Sequence, residues 1–174
     1  MYYVLWTNTG KEEKTRQMIY TYADSALYSR CLIPYRVKRH YYGGSSKLVK
    51  LILFPSYLFI ETDDIKAFVN NIKWFPGFNV VLQLDDIYCP LRKHEETLLF
   101  KLINDHEIID ISKGFMSGDK IYITDGPLVG HEGVIKKVKP RQGVAVIEMN
   151  IFNRIAEVSL GLDLLQNQKS VVRR

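Results

Sequence analysis

The chain holds 174 residues, which suits one domain or two small ones, and its 47% apolar and 25% charged content allows a packed core and excludes a wholly disordered chain. The net charge of +5 points to an anionic partner. No apolar run approaches the ~20 residues of a membrane helix, and the start MYYVLWTNTGKEEK lacks a basic stretch before an apolar core, so a cytoplasmic protein without membrane span or signal peptide is expected.

The first segment, YYVLWT, is aromatic and aliphatic and predicts a strand. Thr9 stands three residues before Glu12, the spacing of a capping box, in which each side chain satisfies a free backbone N–H of the other residue. Met18, Ile19, Tyr22 and Ala26 follow at helical spacing and predict a helix over 10–27. CLIPYRVKRHYYGGSSKLVKLILF reads as two extended runs around Gly43-Gly44-Ser45-Ser46, a hairpin with a basic tip. Pro55-Ser56 breaks the second run, and YLFIE continues as a strand buried on both faces. Asp63 is placed to cap the next helix, whose Ile65, Phe68, Val69 and Ile72 fall at i, i+3, i+4 and i+7. WFPG turns the chain and FNVVLQL is a further strand. Pro90 opens a third helix, where its missing N–H costs nothing, with Leu91, Leu98, Leu99, Leu102 and Ile103 on the buried face.

Strand, helix, strand, strand, helix, strand and a terminal helix is the order of a ferredoxin-like split βαβ domain over residues 1–107. Residues 108–114, within NDHEIIDISKG, read as a linker. From Phe115 the helical period disappears, and DKIYIT, EGVIKKVK, GVAVIEMN and RIAEVSL follow as short strands between turn residues. Residues 115–174 therefore read as a small SH3-like β-barrel, and the chain as α+β. RIAEVSL alternates cleanly, with Ala156, Val158 and Leu160 on one face. GVIKKVK does not, because Lys136-Lys137 interrupts it, and a bulge or bent edge strand that turns the lysines outward reconciles the two.

No catalytic set stands out. His40, His94, His106 and His131 form no HExxH pattern, and Asp63-Asp64 and Asp85-Asp86 fall where caps and turns are expected. No serine sits in a nucleophile elbow, and Cys31 and Cys89 read as packed thiols rather than a ligand pair. No catalytic residue, metal site or cofactor is assigned, and the chain is not read as an enzyme.

The stretch DKIYITDGPLVGHEGVIKKVKPRQG, Asp119–Gly143, has more content. Its four glycines and two prolines are what a compact loop between barrel strands needs without any ligand. Its cations are different: Lys136, Lys137, Lys139 and Arg141 lie within six residues, and strand packing requires none of them. Residues 111–174 carry 10 basic against 6 acidic groups, while residues 1–110 carry 14 against 13. Nucleic-acid contact and a solvated surface hairpin both account for the cluster, and the first is favoured.

GDKIYITDGPLVGHEGVIKKVKPRQGVAVIEMNIFNRIAEVSL resembles the KOW module that ends the NusG family of transcription elongation factors. YYVLWTNTGKEEK resembles the opening of that family's NGN domain, LFPSYLFIE its Phe-Pro-Gly-Tyr-Val-Phe-Val segment, and WFPGFNVV its later Pro-Gly turn and strand. The likeness runs in order through nearly the whole chain. It implies a ferredoxin-like NGN domain and a barrel-like KOW domain. It also implies a partner, the clamp helices of RNA polymerase, held by an apolar groove that matches Trp6, Phe54, Pro55, Tyr57, Phe59 and Val81 here. Tyr57 and Phe59 are equally at home as sheet core.

Two features set the chain apart from the family's general members. Leu128 stands where a Phe often follows Gly-Pro in the KOW loop; with Phe152 it marks the position where a ribosomal or termination factor docks on relatives. The basic cluster resembles the family's specialised LoaP-type antiterminators, whose KOW domain binds an RNA hairpin. That likeness assigns RNA contact to Lys120, His131, Lys136, Lys137, Lys139, Arg141 and Arg154, mainly through phosphates. Val144, Val146 and Ile147 favour strand over helix, so no refolding of the barrel is expected. Lys11, Lys14, Arg16 and Lys73 are candidates for a displaced non-template DNA strand, and the hairpin RVKRHYYGGSSK for DNA or the second large polymerase subunit. The implied function is processive antitermination by a monomer bound to polymerase and leader RNA. The alternative is a general NusG-type factor coupling transcription to translation or termination.

Overall fold

The computed structural model describes residues 1–75, 83–84, 87–88, 90–151 and 154–165. In chain order the elements are β1 (Tyr2–Trp6), α1 (Glu12–Tyr22), β2 (Arg30–Leu32), β3 (Tyr35–Tyr42), β4 (Ser45–Ile52), β5 (Tyr57–Glu61), α2 (Ile65–Ile72), β6 (Gln83–Leu84), β7 (Ile87–Tyr88), α3 (Lys93–Leu102), β8 (Ile108–Ile109), β9 (Ser112–Ser117), β10 (Lys120–Asp125), β11 (Ile135–Lys139), β12 (Val144–Ile151) and β13 (Arg154–Leu164). The chain divides into two compact units. One holds Met1–Tyr35, Ile52–Phe100 and Ile151–Asn153; the other holds Arg36–Leu51, Lys101–Asn150 and Arg154–Arg174.

The first unit is built on the antiparallel sheet β1-β5-β2. Register runs from Tyr2 opposite Glu61 to Trp6 opposite Tyr57, and Cys31 faces Ile60 from the other side of β5. Leu58, Phe59 and Ile60 are fully buried in succession, as the expected doubly covered strand requires. Ile19 of α1, Phe68 and Ile72 of α2, Leu99 of α3 and Cys31 complete this core. Most of the stretch expected as the fourth strand, FNVVLQL, lies outside the described residues, as does Cys89; of it, Gln83 and Leu84 pair with Tyr88 and Ile87.

Local capping departs from expectation at each helix. α1 runs Glu12–Tyr22, without the expected capping box: Lys11 takes the cap position with no side-chain bond, and Thr9 and Glu12 both turn to Ser56 instead. A part-buried backbone N–H at Ser56 competes for the carboxylate and wins. The helix also stops earlier than residue 27, because Asp24 accepts from Ala26 N–H (2.9 Å) and starts a separate 3₁₀ turn, Ser25–Leu27. Tyr22, expected inside, is exposed. Asp64, not Asp63, caps α2, accepting from Ala67 N–H at 2.9 Å. α3 begins at Lys93 rather than Pro90. Glu95 accepts from Arg92 N–H (2.8 Å), one half of a capping box, while Pro90 bridges to Tyr3.

The second unit contains the sheet β10-β9-β13-β12-β11 and the sheet β4-β3-β8. The hairpin β3–β4 turns at Gly43 (φ 52°) and Gly44 (φ 81°), the positive pair that a two-residue I′ turn needs. Expected with residues 1–107, this hairpin instead groups with the second unit. β3 closes on β13: a Cβ at Gly161 would lie 2.4 Å from Val37 O and 2.7 Å from Ile111 Cγ1, so only glycine admits the approach. Arg39 forks onto Asp163, with Nη2 at 2.8 Å and Nε at 3.2 Å, and Arg36 donates to Ser159 O. Residues 108–114 are not a linker either, since β8 joins β3 and β9 begins at Ser112.

Candidate binding surfaces

The loop Phe54–Tyr57 enters β5 through Ser56, whose φ of 75° is uncommon for a residue with a side chain. Four bonds hold it there. Ser56 N–H donates to Glu12 Oε1 (2.7 Å), Ser56 O accepts from Thr7 N–H (2.8 Å), Ser56 Oγ meets Thr9 Oγ1 (2.6 Å), and Tyr57 N–H donates to Phe54 O (3.1 Å). Glu12 is 1% exposed. Sequence reasoning assigned Glu12 to helix capping and missed its role in fixing this loop; the polar-looking GKEEK run hides a carboxylate that folds inward.

This loop and β1 bring the expected apolar contact residues together, in two layers. Trp6 is 37% exposed, directly opposite half-buried Tyr57, with Pro55 exposed beside them. Phe54 and Phe59 are buried beneath, their rings 5.9 Å apart. Phe59 at 0% exposure therefore offers no surface to a partner. Val81 lies outside the described residues.

The cations proposed for DNA sit on or beside two helices, α1 and α2. Lys11 and Lys14 are exposed on or beside α1, but Arg16 is held by Glu13 through contacts of 2.8 and 3.1 Å. Lys73 caps α2, with Nζ 3.1 Å from Asn70 Oδ1 and over the exposed Trp74 ring at 5.1 Å.

In the second unit, the sheet register shifts between Ile135 and Lys137, the irregularity expected from the broken alternation. β11 is an edge strand, so Lys136 and Lys137 are exposed and Lys139 half-buried. Lys136 also meets Glu148 at 3.3 Å, an exposed pair of small energetic weight. Arg141 follows in the exposed 3₁₀ turn Pro140–Gln142, and half-buried His131 precedes another, Glu132–Val134. The other two candidates lie apart. Lys120 opens β10, on the opposite edge of the sheet order. Arg154 opens β13, eight residues before the Leu162 that bonds Gly143 O near β11's end. The register thus groups Lys136, Lys137, Lys139 and Arg141 and separates Lys120 and Arg154 from them.

Leu128 does not present a docking surface. Its N–H donates to Ser112 Oγ (3.0 Å), which turns the side chain inward to 0% exposure, and the smaller aliphatic serves as core of the second unit. Phe152 lies outside the described residues. Among the described residues no group of three or more His, Cys, Asp or Glu is placed to hold a metal ion, and no helix is long and apolar enough to cross a membrane.

An α+β unit that exposes Trp6 beside Pro55 and a β unit with a basic edge strand make a two-unit protein of mixed α/β class. The model of the family described as transcription termination factor nusG matches residues 1–99, and the chain belongs to this NusG family. It is 26% identical over 172 residues to the transcription termination/antitermination protein NusG of Thermus thermophilus, covering 91% of this chain and 94% of that one. The NusG of Bacillus subtilis is 26% identical over 167 residues, covering 91% and 93%. A solved structure of Thermotoga maritima NusG, concerned with domain interaction, superposes with a TM-score of 0.55 at 21% identity, covering 92% of each chain, and shares the fold.

Proposed function

We propose that this protein is a transcription elongation and processive antitermination factor. Its first unit binds the clamp helices of RNA polymerase through Trp6, Pro55 and Tyr57, and its second binds a structured leader RNA through β11 and the turn after it. Family membership supports the polymerase half of this reading. The observation that carries the RNA half is the irregular edge strand that turns Lys136 and Lys137 to solvent and continues into Lys139 and Arg141.

No bond is made or broken in this mechanism. A protein that binds the closed-clamp, elongating polymerase better than the paused form shifts the population toward elongation by the difference in affinity. The RNA contact would restrict that action to transcripts carrying the right hairpin. The buried Leu128 supports this specialised reading over a general factor that docks a ribosomal or termination protein at that position.

The test uses the full chain, titrated against RNA hairpins and matched duplex DNA across a salt series. Three to four phosphate contacts give a log–log salt slope of roughly 3. Saturable hairpin binding that weakens when Lys136, Lys137 and Lys139 are all changed to Ala supports the reading. Equal, weak binding to every polyanion returns the lysines to solvent and leaves a general NusG-type factor.

A further inference from the structure

The most cationic segment of the chain is not the barrel strand but the hairpin. Residues 36–51 hold Arg36, Lys38, Arg39, Lys47 and Lys50, with His40 and no carboxylate at all. The rest of residues 1–110 carries 9 basic against 13 acidic groups, so the near balance of that half conceals the hairpin. Among the described residues, grouped as the fold groups them, the second unit holds 13 basic and 9 acidic residues and the first 8 and 8. The net positive charge of the described residues is thus gathered in one unit.

The two faces of the hairpin differ. Alternation along β3 sends Arg39 and Tyr41 one way and Lys38, His40 and Tyr42 the other. Arg39 is taken up by Asp163, and a Cβ at Gly143 would lie 3.3 Å from the Tyr41 ring, so the first face lies toward β13 and the turn before β12. The second carries a shallow cleft lined by His40, Tyr42, Ser45 and Lys47, beside a Tyr42 ring that is 79% exposed.

We propose that the second face of the hairpin is a surface for an unpaired RNA segment, with Tyr42 as stacking platform and Lys47 and Lys38 on its phosphates. Exposed aromatic rings among cations are the recognised means of holding unstacked bases. This rests on the RNA-reading function proposed above and adds a second contact to it: β11 grips the stem, and the hairpin tip takes the loop.

The experiment compares full-length wild type, Tyr42→Ala, Tyr42→Phe, Lys47→Ala and the triple Lys136/Lys137/Lys139→Ala variant. Each is titrated with a fluorescent RNA hairpin and with the same stem closed as a loopless duplex. Tyr42 and Lys47 are exposed, so neither change removes a core contact. The expected results are a loss of about 5- to 100-fold for Tyr42→Ala on the looped RNA alone, retention by Tyr42→Phe, and a salt slope lowered by about one for Lys47→Ala. Wild-type affinity in both hairpin variants, with the triple variant weakened, overturns the hairpin surface and leaves the β11 reading standing. Equal wild-type affinity for looped and loopless RNA also overturns it. No saturable RNA binding by the wild type overturns both.

Discussion

The Glu12 carboxylate lies 2.7 Å from the backbone N–H of Ser56, 44 residues away, and ties the first turn of α1 to the loop that presents Pro55 and Tyr57. Both groups belong to the first unit, and Glu12 is 1% exposed. Removing the acceptor leaves a part-buried donor unpaired, so Glu12→Ala should cost about 1–3 kcal/mol. Glu12→Gln, which keeps the accepting oxygen, should stay close to wild type. Both tryptophans, Trp6 and Trp74, lie in this unit, so urea unfolding followed by tryptophan fluorescence reads the difference.

Ser56 pays a conformational penalty at φ 75° that glycine escapes. Ser56→Gly should stabilise the first unit by up to about 1 kcal/mol, less what the exposed Thr9 contact contributes. Ser56→Val, branched at a left-handed position, should destabilise it by about 1–2 kcal/mol. The same unfolding assay decides, and a stabilised valine variant would contradict the strain argument.

Trp6 and Tyr57 face each other across β1 and β5 at the edge of the exposed loop. If they seat a polymerase helix, Trp6→Ala and Tyr57→Ala should each weaken polymerase binding by about 10-fold or more, from ~1.5–3 kcal/mol of lost aromatic burial. Phe59→Ala should instead lower the stability of the free protein by about 3–5 kcal/mol, because that ring is wholly inside. Titration of purified polymerase, alongside thermal melting of each variant, separates the two effects.

Gly161 is the crossing point of β3 over β13. A methyl there meets Val37 O at 2.4 Å and Ile111 Cγ1 at 2.7 Å, both closer than atoms pack. Gly161→Ala should therefore destabilise the second unit by about 1–3 kcal/mol. Faster amide hydrogen exchange in β3 and β13, with β1 and β5 unchanged, is the expected signature.

Asp125 has its pKa lowered, first by the hydrogen bond from Lys113 Nζ (3.0 Å), then by that ammonium's charge and the Gly126 N–H. A carboxylate more acidic when folded stabilises the fold above its ordinary pKa, and that contribution disappears as pH falls through the folded value. Acid unfolding of the second unit should accordingly start from a lower plateau in Asp125→Asn, with a flatter slope between neutral pH and the acid limb. An unchanged profile would assign the acid limb to other carboxylates.

Much of this protein was legible in its residues, because the deciding interactions are short-range. The hairpin at Gly43-Gly44, the buried run in YLFIE, the apolar stripe of α2 and the irregularity at Lys136-Lys137 all follow from backbone sterics and periodicity within a few residues. The motifs by themselves also suffice to place the chain in the NusG family. What the tertiary structure alone decided depends on contacts across long stretches of chain. Glu12 reaches from the first turn of α1 to Ser56, Leu128 went into the core, and the β3–β4 hairpin joined the second unit through Arg39 and Asp163, 124 residues apart. Local pattern assigns a side chain to a face. Which distant backbone or charge then meets that face depends on chain topology, and it is there that the basic surface of the second unit is assembled.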